Sequence, residues 1–141
     1  MRRSHRAAKI LLVVYSVFLA AVLFSPTSDR QNDAVVWLGS VLVALGVPEH
    51  IVMFGRLEVV MNVAIIAPVT FLGSIVQPRL SWRDWTAWGF VVAVGVELAQ
   101  GLLLPDRETS FSDVVANTAG ALAGAGLFVA VRLMLRRRTR S

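Results

Sequence analysis

The stretch VELAQGLLLPDRETSFSDVVANTAGALAGAG, residues 96–126, decides the fold, because it is apolar enough for a membrane yet carries ionisable side chains. Charged side chains within a membrane helix are costly, so they usually face the interior of a helix bundle and mark a functional site. The polar residues lie in and on either side of a short connection that begins at Pro105. They are Glu97, Gln100, Arg107, Asp113 and Asn117.

The spacing of these residues predicts two polar helix faces. Glu97 and Gln100 are three residues apart, and Asp113 and Asn117 are four apart, so each pair shares one face of a helix. The short polar connection between the two helices predicts a hairpin in which the two faces meet. On the second of these helices, Gly120 and Gly124 continue the face of Asp113 and Asn117. Such small residues permit close contact between helices.

The composition indicates one domain that lies in a bilayer. The chain has 141 residues, of which 56% are hydrophobic and 16% are charged, and its mean hydropathy is +0.67. Soluble domains carry about 25% charged residues, so this chain lacks the polar surface of a water-soluble fold. It has no cysteine, which excludes disulfides, thiolate metal sites and cysteine nucleophiles.

The net charge of +5 does not indicate nucleic-acid binding. The basic residues lie at the ends of apolar runs rather than along one polar face, which is typical of membrane helices with positive flanks. We therefore expect membrane lipids, and no nucleic acid, as partners.

Four apolar runs predict an all-α, integral membrane four-helix bundle. The expected spans are residues 8–25, 56–76, 85–104 and 113–135, near the roughly 20 residues that a bilayer requires. The first has a basic start like that of a signal peptide. No small-x-small cleavage pattern follows it, so we expect a retained helix. Ser112 or Asp113 is expected to cap the fourth helix.

A further apolar run, residues 34–47, is too short to span a bilayer and predicts an additional interfacial or re-entrant helix. The preceding segment, residues 25–33, is predicted as a turn because residues such as Asp29 and Asn32 disfavour a helix. Gly46 and Pro48 are expected to end the short helix.

The distribution of lysine and arginine predicts a multi-pass protein of the cell membrane with both termini in the cytoplasm. Eleven of the 14 basic residues lie at the two termini or in the connection 77–84, and cytoplasmic loops carry such an excess. Three chain segments then bring polar side chains to the outer half of the membrane. These are Glu58, Asn62, Glu97, Gln100, Arg107, Asp113 and Asn117.

Some of these residues have a purely structural interpretation. Gln100 and Asn117 can form interhelical hydrogen bonds, each contributing on the order of 1 kcal/mol or less. Arg107 can pair with a neighbouring carboxylate. Glu97 is different, because it lies roughly 12 Å below the end of its helix, where a carboxylate needs a partner, a proton or water.

The cluster also has chemical interpretations. Arg107 with Glu97 and Asp113 could recognise a partly anionic headgroup, since arginine contacts phosphate or carboxylate bidentately. Alternatively, Glu97 and Asp113 are candidate catalytic residues, as an acid and base pair, or ligands of a divalent cation. We expect no metal site and no cofactor, because histidine–metal spacings and glycine-rich phosphate loops are absent from the sequence, and the isolated His5 and His50 receive no role.

The order and spacing of these residues resemble the signature of VanZ-like membrane proteins, over residues 52–127 and, in general character, over the first helix. The second helix resembles that of the family in Glu58-x-x-x-Asn62 followed by Pro68. Some members carry a Lys-x-x-His pair in the first helix, whereas here Leu12 follows Lys9 at that spacing. The main resemblance lies in Glu97-x-x-Gln100, Arg107 and Asp113-x-x-x-Asn117-x-x-Gly120-x-x-x-Gly124.

The resemblance implies a small polytopic protein of the bacterial cell envelope. Through the founding member, it implies a link to low-level resistance to the glycopeptide teicoplanin. It carries the seven polar residues over as a ligand-binding site of undefined role. A lipid-linked cell-wall precursor or a glycopeptide is then an expected partner beside membrane lipids. A family does not by itself define a function, because function resides in sites rather than folds.

Three hypotheses follow. The leading one is a non-enzymatic envelope protein that binds a lipid or cell-wall precursor headgroup in an outward-facing polar pocket. The second is an enzyme that acts on a lipid-linked envelope substrate with Glu97 and Asp113 as its proton-handling pair. The third is a structural subunit, in a homo-oligomer or with another membrane protein, whose helix contacts run through Gly120 and Gly124.

Overall fold

A computed structural model describes residues 2–25, 29–104 and 110–138, and this part of the chain is helical without any β-strand. The helices are α1 Arg2–Leu23, α2 Asp29–Ala44, α3 Phe54–Val76, α4 Trp82–Leu103 and α5 Phe111–Arg138. By length and composition, α3, α4, α5 and the stretch His5–Leu23 of α1 can each cross a membrane, whereas α2 is shorter. The predicted all-α bundle of four long helices with one short helix is confirmed.

Helix α3 is the centre of the bundle. It packs most extensively on α5 and also contacts α1, α2 and α4, while α4 packs mainly on α5. Pro68 lies within α3 and has no N–H, so the helix lacks one internal hydrogen bond in that turn. In the same region, the Tyr15 hydroxyl of α1 donates to the Ile65 carbonyl oxygen at 2.9 Å. The part of α3 that contains the proline is therefore also the part to which α1 is hydrogen-bonded.

The α3–α5 interface is built from small residues. A Cβ atom at Gly120 would lie 2.8 Å from the Val63 carbonyl oxygen, and one at Gly124 would overlap the Ala67 carbonyl oxygen and the Thr70 hydroxyl. The two backbones can approach this closely only because both positions are glycine. Ala116 and Ala125 of α5 are also at most 1% exposed, as is Ala121, which lies against Gly89 of α4.

The outer surface of the bundle is apolar. On α4, Leu98 is 64% exposed and Leu102 is 83% exposed, and on α1 Val17 is 66% exposed. Monomeric soluble proteins rarely expose contiguous apolar patches larger than a few hundred Å². Apolar faces on several long helices are instead what contact with lipid tails requires.

Helices α4 and α5 begin earlier than their sequence patterns predict. Helix α4 starts at Trp82 because Ser81 and Asp84 form a capping box, in which the Ser81 N–H donates to Asp84 Oδ2 at 2.7 Å and the Asp84 N–H to Ser81 Oγ at 3.3 Å. At α5, the Ser112 N–H donates to Ser110 Oγ at 3.1 Å. Ser110 therefore caps the start of α5. The prediction that Ser112 or Asp113 caps this helix was wrong.

The short helix α2 is shifted towards the N-terminus relative to the predicted 34–47. The prediction of a turn over residues 25–33 was wrong from Asp29 onwards, because acidic and polar residues are favourable in the first turn of a helix. The helix ends at Ala44, where Gly46 takes φ +91° and Val47 N–H donates to the Leu42 carbonyl oxygen at 3.0 Å. This is a Schellman motif, which favours glycine at the left-handed position.

Candidate binding site at the polar end of the bundle

The polar residues singled out in the sequence collect at one end of the bundle. This polar end is where α1 and α4 end and where α3 and α5 begin, and its described members are Glu58, Asn62, Glu97, Gln100 and Asp113. Arg107 belongs to the predicted site but lies outside the described residues, in the connection between Leu104 and Ser110.

A hydrogen bond between two side chains links α3 directly to α5 at this end. Asn62 Nδ2 donates to Asp113 Oδ1 at 2.8 Å, and both side chains are half-buried. Glu58 lies one turn before Asn62 on the same face of α3 and is half-buried. The arrangement therefore joins one amide and two acidic groups from two helices that are distant in sequence.

Glu97 closes the connection between α4 and α5. Its Oε1 accepts a hydrogen bond from the backbone N–H of Ser110, the residue before α5. A half-buried carboxylate on α4 thus bonds to the backbone of the residue from which α5 starts. The partner that the depth of Glu97 demands is therefore a backbone amide, the N–H of Ser110.

Gln100 acts on a different helix. Its side chain is 5% exposed, and its Nε2 donates to the Leu23 carbonyl oxygen at 2.6 Å. Leu23 is the last residue of α1, where carbonyl groups have no partner within the helix. Gln100 therefore ties the end of α1 to α4, which is the interhelical role foreseen as its structural interpretation.

Asn117 lies one turn after Asp113 on α5 and is half-buried. Its side chain makes no hydrogen bond within residues 2–25, 29–104 and 110–138. Gly120 and Gly124 follow in the same direction and contact α3 directly. The α5 face thus changes from polar groups at the polar end to glycines deeper in the bundle.

The chemistry available at this end is hydrogen bonding and charge recognition. Asp113 and Glu58 place carboxylate oxygens where a hydroxyl or ammonium group of a ligand could donate to them. Within the described segments, no three His, Cys, Asp or Glu side chains converge in a way that could hold a metal ion. Asp113 and Glu97 also have different partners, Asn62 and Ser110, so each carboxylate is already used in holding the structure.

Sequence reasoning missed three contributors to this end and to the packing around it. The Ser110 N–H and the Leu23 carbonyl are backbone groups, and a residue pattern does not reveal which backbone atom completes a side chain's hydrogen bond. Tyr15 was also missed, although it is the one tyrosine of the chain and lies in an apolar helix. A buried tyrosine hydroxyl usually finds a partner, and this was the available signal.

One family model matches the chain. The model is described as VanZ/LLP1 and covers residues 10–134, which include all five helices at least in part and the whole polar end. No curated protein and no solved structure matches the chain.

Proposed function

The chain belongs to the VanZ/LLP1 family, and on that premise we propose that it is a protein of the bacterial cell envelope whose polar end binds the headgroup of a lipid or cell-wall precursor. The four long apolar helices make it a multi-pass membrane protein. The observation that carries the proposal is the Asn62–Asp113 pair, with Glu58 one turn before Asn62 and with Glu97 bonded to Ser110 at the same end of the bundle.

We propose that two kinds of side chain, carboxylates and an arginine, bind different parts of the headgroup. Asp113 and Glu58 accept hydrogen bonds from hydroxyl or ammonium groups, and a donor placed between them relieves the repulsion of the two carboxylates. Arg107 binds the phosphate of the same headgroup, because a guanidinium matches phosphate geometry. Glu97 bonds to Ser110, the described residue that follows the Arg107 connection in sequence.

The orientation is part of the proposal. The excess of lysine and arginine at the opposite end of the bundle supports a topology in which both termini are cytoplasmic and the polar end faces outwards in the cell membrane. A headgroup site on that side would meet lipid-linked precursors after they have crossed the membrane. The family resemblance implies a link to teicoplanin resistance, and we propose that this site is its basis. A precursor bound here would be less accessible to a glycopeptide.

The proposal is tested by thermal unfolding of the detergent-solubilised protein with short-chain lipids of different headgroups and with undecaprenyl phosphate. A lipid that binds only the folded state stabilises it by about 2.7 kcal/mol at 100 times its Kd, which raises the midpoint temperature. We expect one headgroup class to raise the midpoint of the wild type but not of Asp113→Asn, because this variant keeps a hydrogen-bonding side chain and loses the charge. No stabilising class, or equal stabilisation of both proteins, contradicts the proposal.

The control is Asp33→Asn in α2, which makes the same change of charge at an exposed aspartate. It should respond to the lipids as the wild type does. If the protein were instead an enzyme with Glu97 and Asp113 as its acid and base, Glu97→Gln would abolish turnover of a lipid-linked substrate and leave binding intact. If the cluster were only structural, Asp113→Asn would lower folded abundance without any change in lipid response.

A further inference from the structure

A groove lies at the end of the bundle opposite the polar end. It has a volume of about 340 Å³ and runs between the α3–α4 connection and the last turns of α5. This basic end is where α1 begins, where α3 and α5 end and where α4 begins. None of the residues of the polar end lines the groove, so it is a separate feature.

The rim of the groove carries three arginines from two chain segments. Arg79 comes from the connection, and Arg132 and Arg136, four residues apart on α5, present their side chains on one helix face. No acidic side chain is found among the residues that line the groove. The nearest acid in sequence, Asp84, accepts hydrogen bonds from the N–H and Oγ of Ser81 at 2.7 and 2.8 Å and so serves the α4 cap.

Two of the three rim arginines have no salt-bridge partner among the described residues. Arg79 and Arg132 are exposed and form no salt bridge within the described segments of the chain. The guanidinium groups of Arg79 and Arg132 beside one concave surface therefore favour an anionic occupant, and their planar donors match the oxygens of a phosphate.

The floor of the groove is apolar. Phe128, Val129 and Leu133 of α5 line it together with Trp82 at the start of α4. Phe128 also contacts Phe71 of α3 in an edge-to-face arrangement, with 6.2 Å between the two ring centroids. A phosphate at the rim and a hydrocarbon chain along α5 would satisfy both surfaces, whereas a free phosphate would leave the apolar floor uncovered.

The position of the groove agrees with a lipid occupant. It lies where the apolar stretches of α3 and α5 end and that of α4 begins, which is the level of the membrane–water interface for these helices. Trp82 is 43% exposed there, and tryptophan is enriched at that level. We propose that the basic end holds one anionic phospholipid, its phosphate between Arg79, Arg132 and Arg136 and one acyl chain along Phe128 and Leu133. This proposal is independent of the function assigned to the polar end.

The test is tryptophan fluorescence quenching in nanodiscs that contain a fixed fraction of brominated lipid. Brominated phosphatidylglycerol should quench the wild type more than brominated phosphatidylcholine, because it occupies the groove beside Trp82. In Arg79→Gln/Arg132→Gln, the apparent affinity for phosphatidylglycerol should fall roughly tenfold for each arginine, since each removes a charged hydrogen bond.

The matched control is Arg6→Gln/Lys9→Gln, which removes two charges from exposed residues of α1 near the same end of the bundle. It should retain the preference for phosphatidylglycerol. The proposal is overturned if the wild type shows no preference for phosphatidylglycerol. It is also overturned if both double variants lose this preference equally, because that would reflect general attraction to a negative surface. Unchanged quenching in Arg79→Gln/Arg132→Gln overturns it as well, and size-exclusion chromatography verifies that each variant is folded.

Discussion

Gly124→Ala is expected to destabilise the bundle by about 2–3 kcal/mol, the upper range for overpacking a well-packed core. A Cβ atom there would overlap the Ala67 carbonyl oxygen and the Thr70 hydroxyl, and the Ala67 carbonyl carbon would be only 2.8 Å away. Backbone atoms cannot rotate out of the way as a flexible side chain can, so α3 and α5 must separate. Because α3 also holds α1 and α2, the separation should affect the whole bundle. Thermal unfolding in detergent, followed by circular dichroism, measures the effect.

The control for this prediction is Gly126→Ala, two residues further along the same helix. A Cβ atom at Gly126 meets nothing within 4 Å in the described structure. Alanine favours a helix over glycine by about 1 kcal/mol, so this variant should be as stable as the wild type or more so. Equal midpoints for the two alanine variants would mean that α3 and α5 are not in the close contact described.

The second large effect is expected at the Asn62–Asp113 pair, in a double-mutant cycle with alanine at both positions. Asp113→Ala removes the acceptor of the 2.8 Å hydrogen bond and leaves the half-buried Asn62 amide without it. Either single variant should therefore lose the free energy of that bond, and the second substitution should then cost less. We expect a coupling of about 1 kcal/mol, within the range measured between membrane helices. Unfolding by SDS in mixed micelles gives the three free energies.

A pair that is not in contact serves as the reference for this cycle. Thr86 lies in α4 near the basic end, and its hydroxyl donates within its own helix to the Trp82 carbonyl oxygen at 2.8 Å. Asn62→Ala and Thr86→Ala should therefore be additive. Additivity of Asn62→Ala and Asp113→Ala as well would show that the two side chains are not bonded to each other.

Much of this architecture could be predicted from the sequence because membrane helices follow simple physical rules. Apolar runs of sufficient length predicted four long helices, and polar residues at helical spacing predicted faces turned towards one another. The hairpin was expected to bring Glu97 and Gln100 against Asp113 and Asn117. In the structure Asp113 is bonded to Asn62 of α3, which is 51 residues away, and Gln100 is bonded to the Leu23 carbonyl oxygen of α1. The glycine stripe on α5 was likewise visible as a run of small residues.

The remaining features depend on information that a residue pattern lacks. Glu97 and Gln100 were recognised as polar groups in need of partners, but both partners are backbone atoms, the Ser110 N–H and the Leu23 carbonyl. Helix ends were misplaced for a related reason. The Ser81–Asp84 capping box lengthens α4 by satisfying open amides, although both residues suggest a connection.

The groove at the basic end could not be recognised from the sequence at all. Its arginines come from two segments of the chain, and in the sequence they indicate only the positive flanks of membrane spans. Concavity depends on how α5 crosses the α3–α4 connection, and the small residues of the interface set that crossing. Residue types near a helix end indicate charge, whereas the packing of several helices decides whether this charge surrounds a cavity.

The central claim, that the polar end binds a headgroup, is tested most directly by mass spectrometry of the lipids that co-purify with the detergent-solubilised protein. The wild type is compared with Arg107→Ala, Asp113→Asn and the control Asp33→Asn at matched amounts of folded protein. The account predicts one lipid class that is enriched with the wild type and with Asp33→Asn and is lost from the other two variants. A well-folded wild type without such enrichment, or the same class retained by Arg107→Ala and Asp113→Asn, would contradict it.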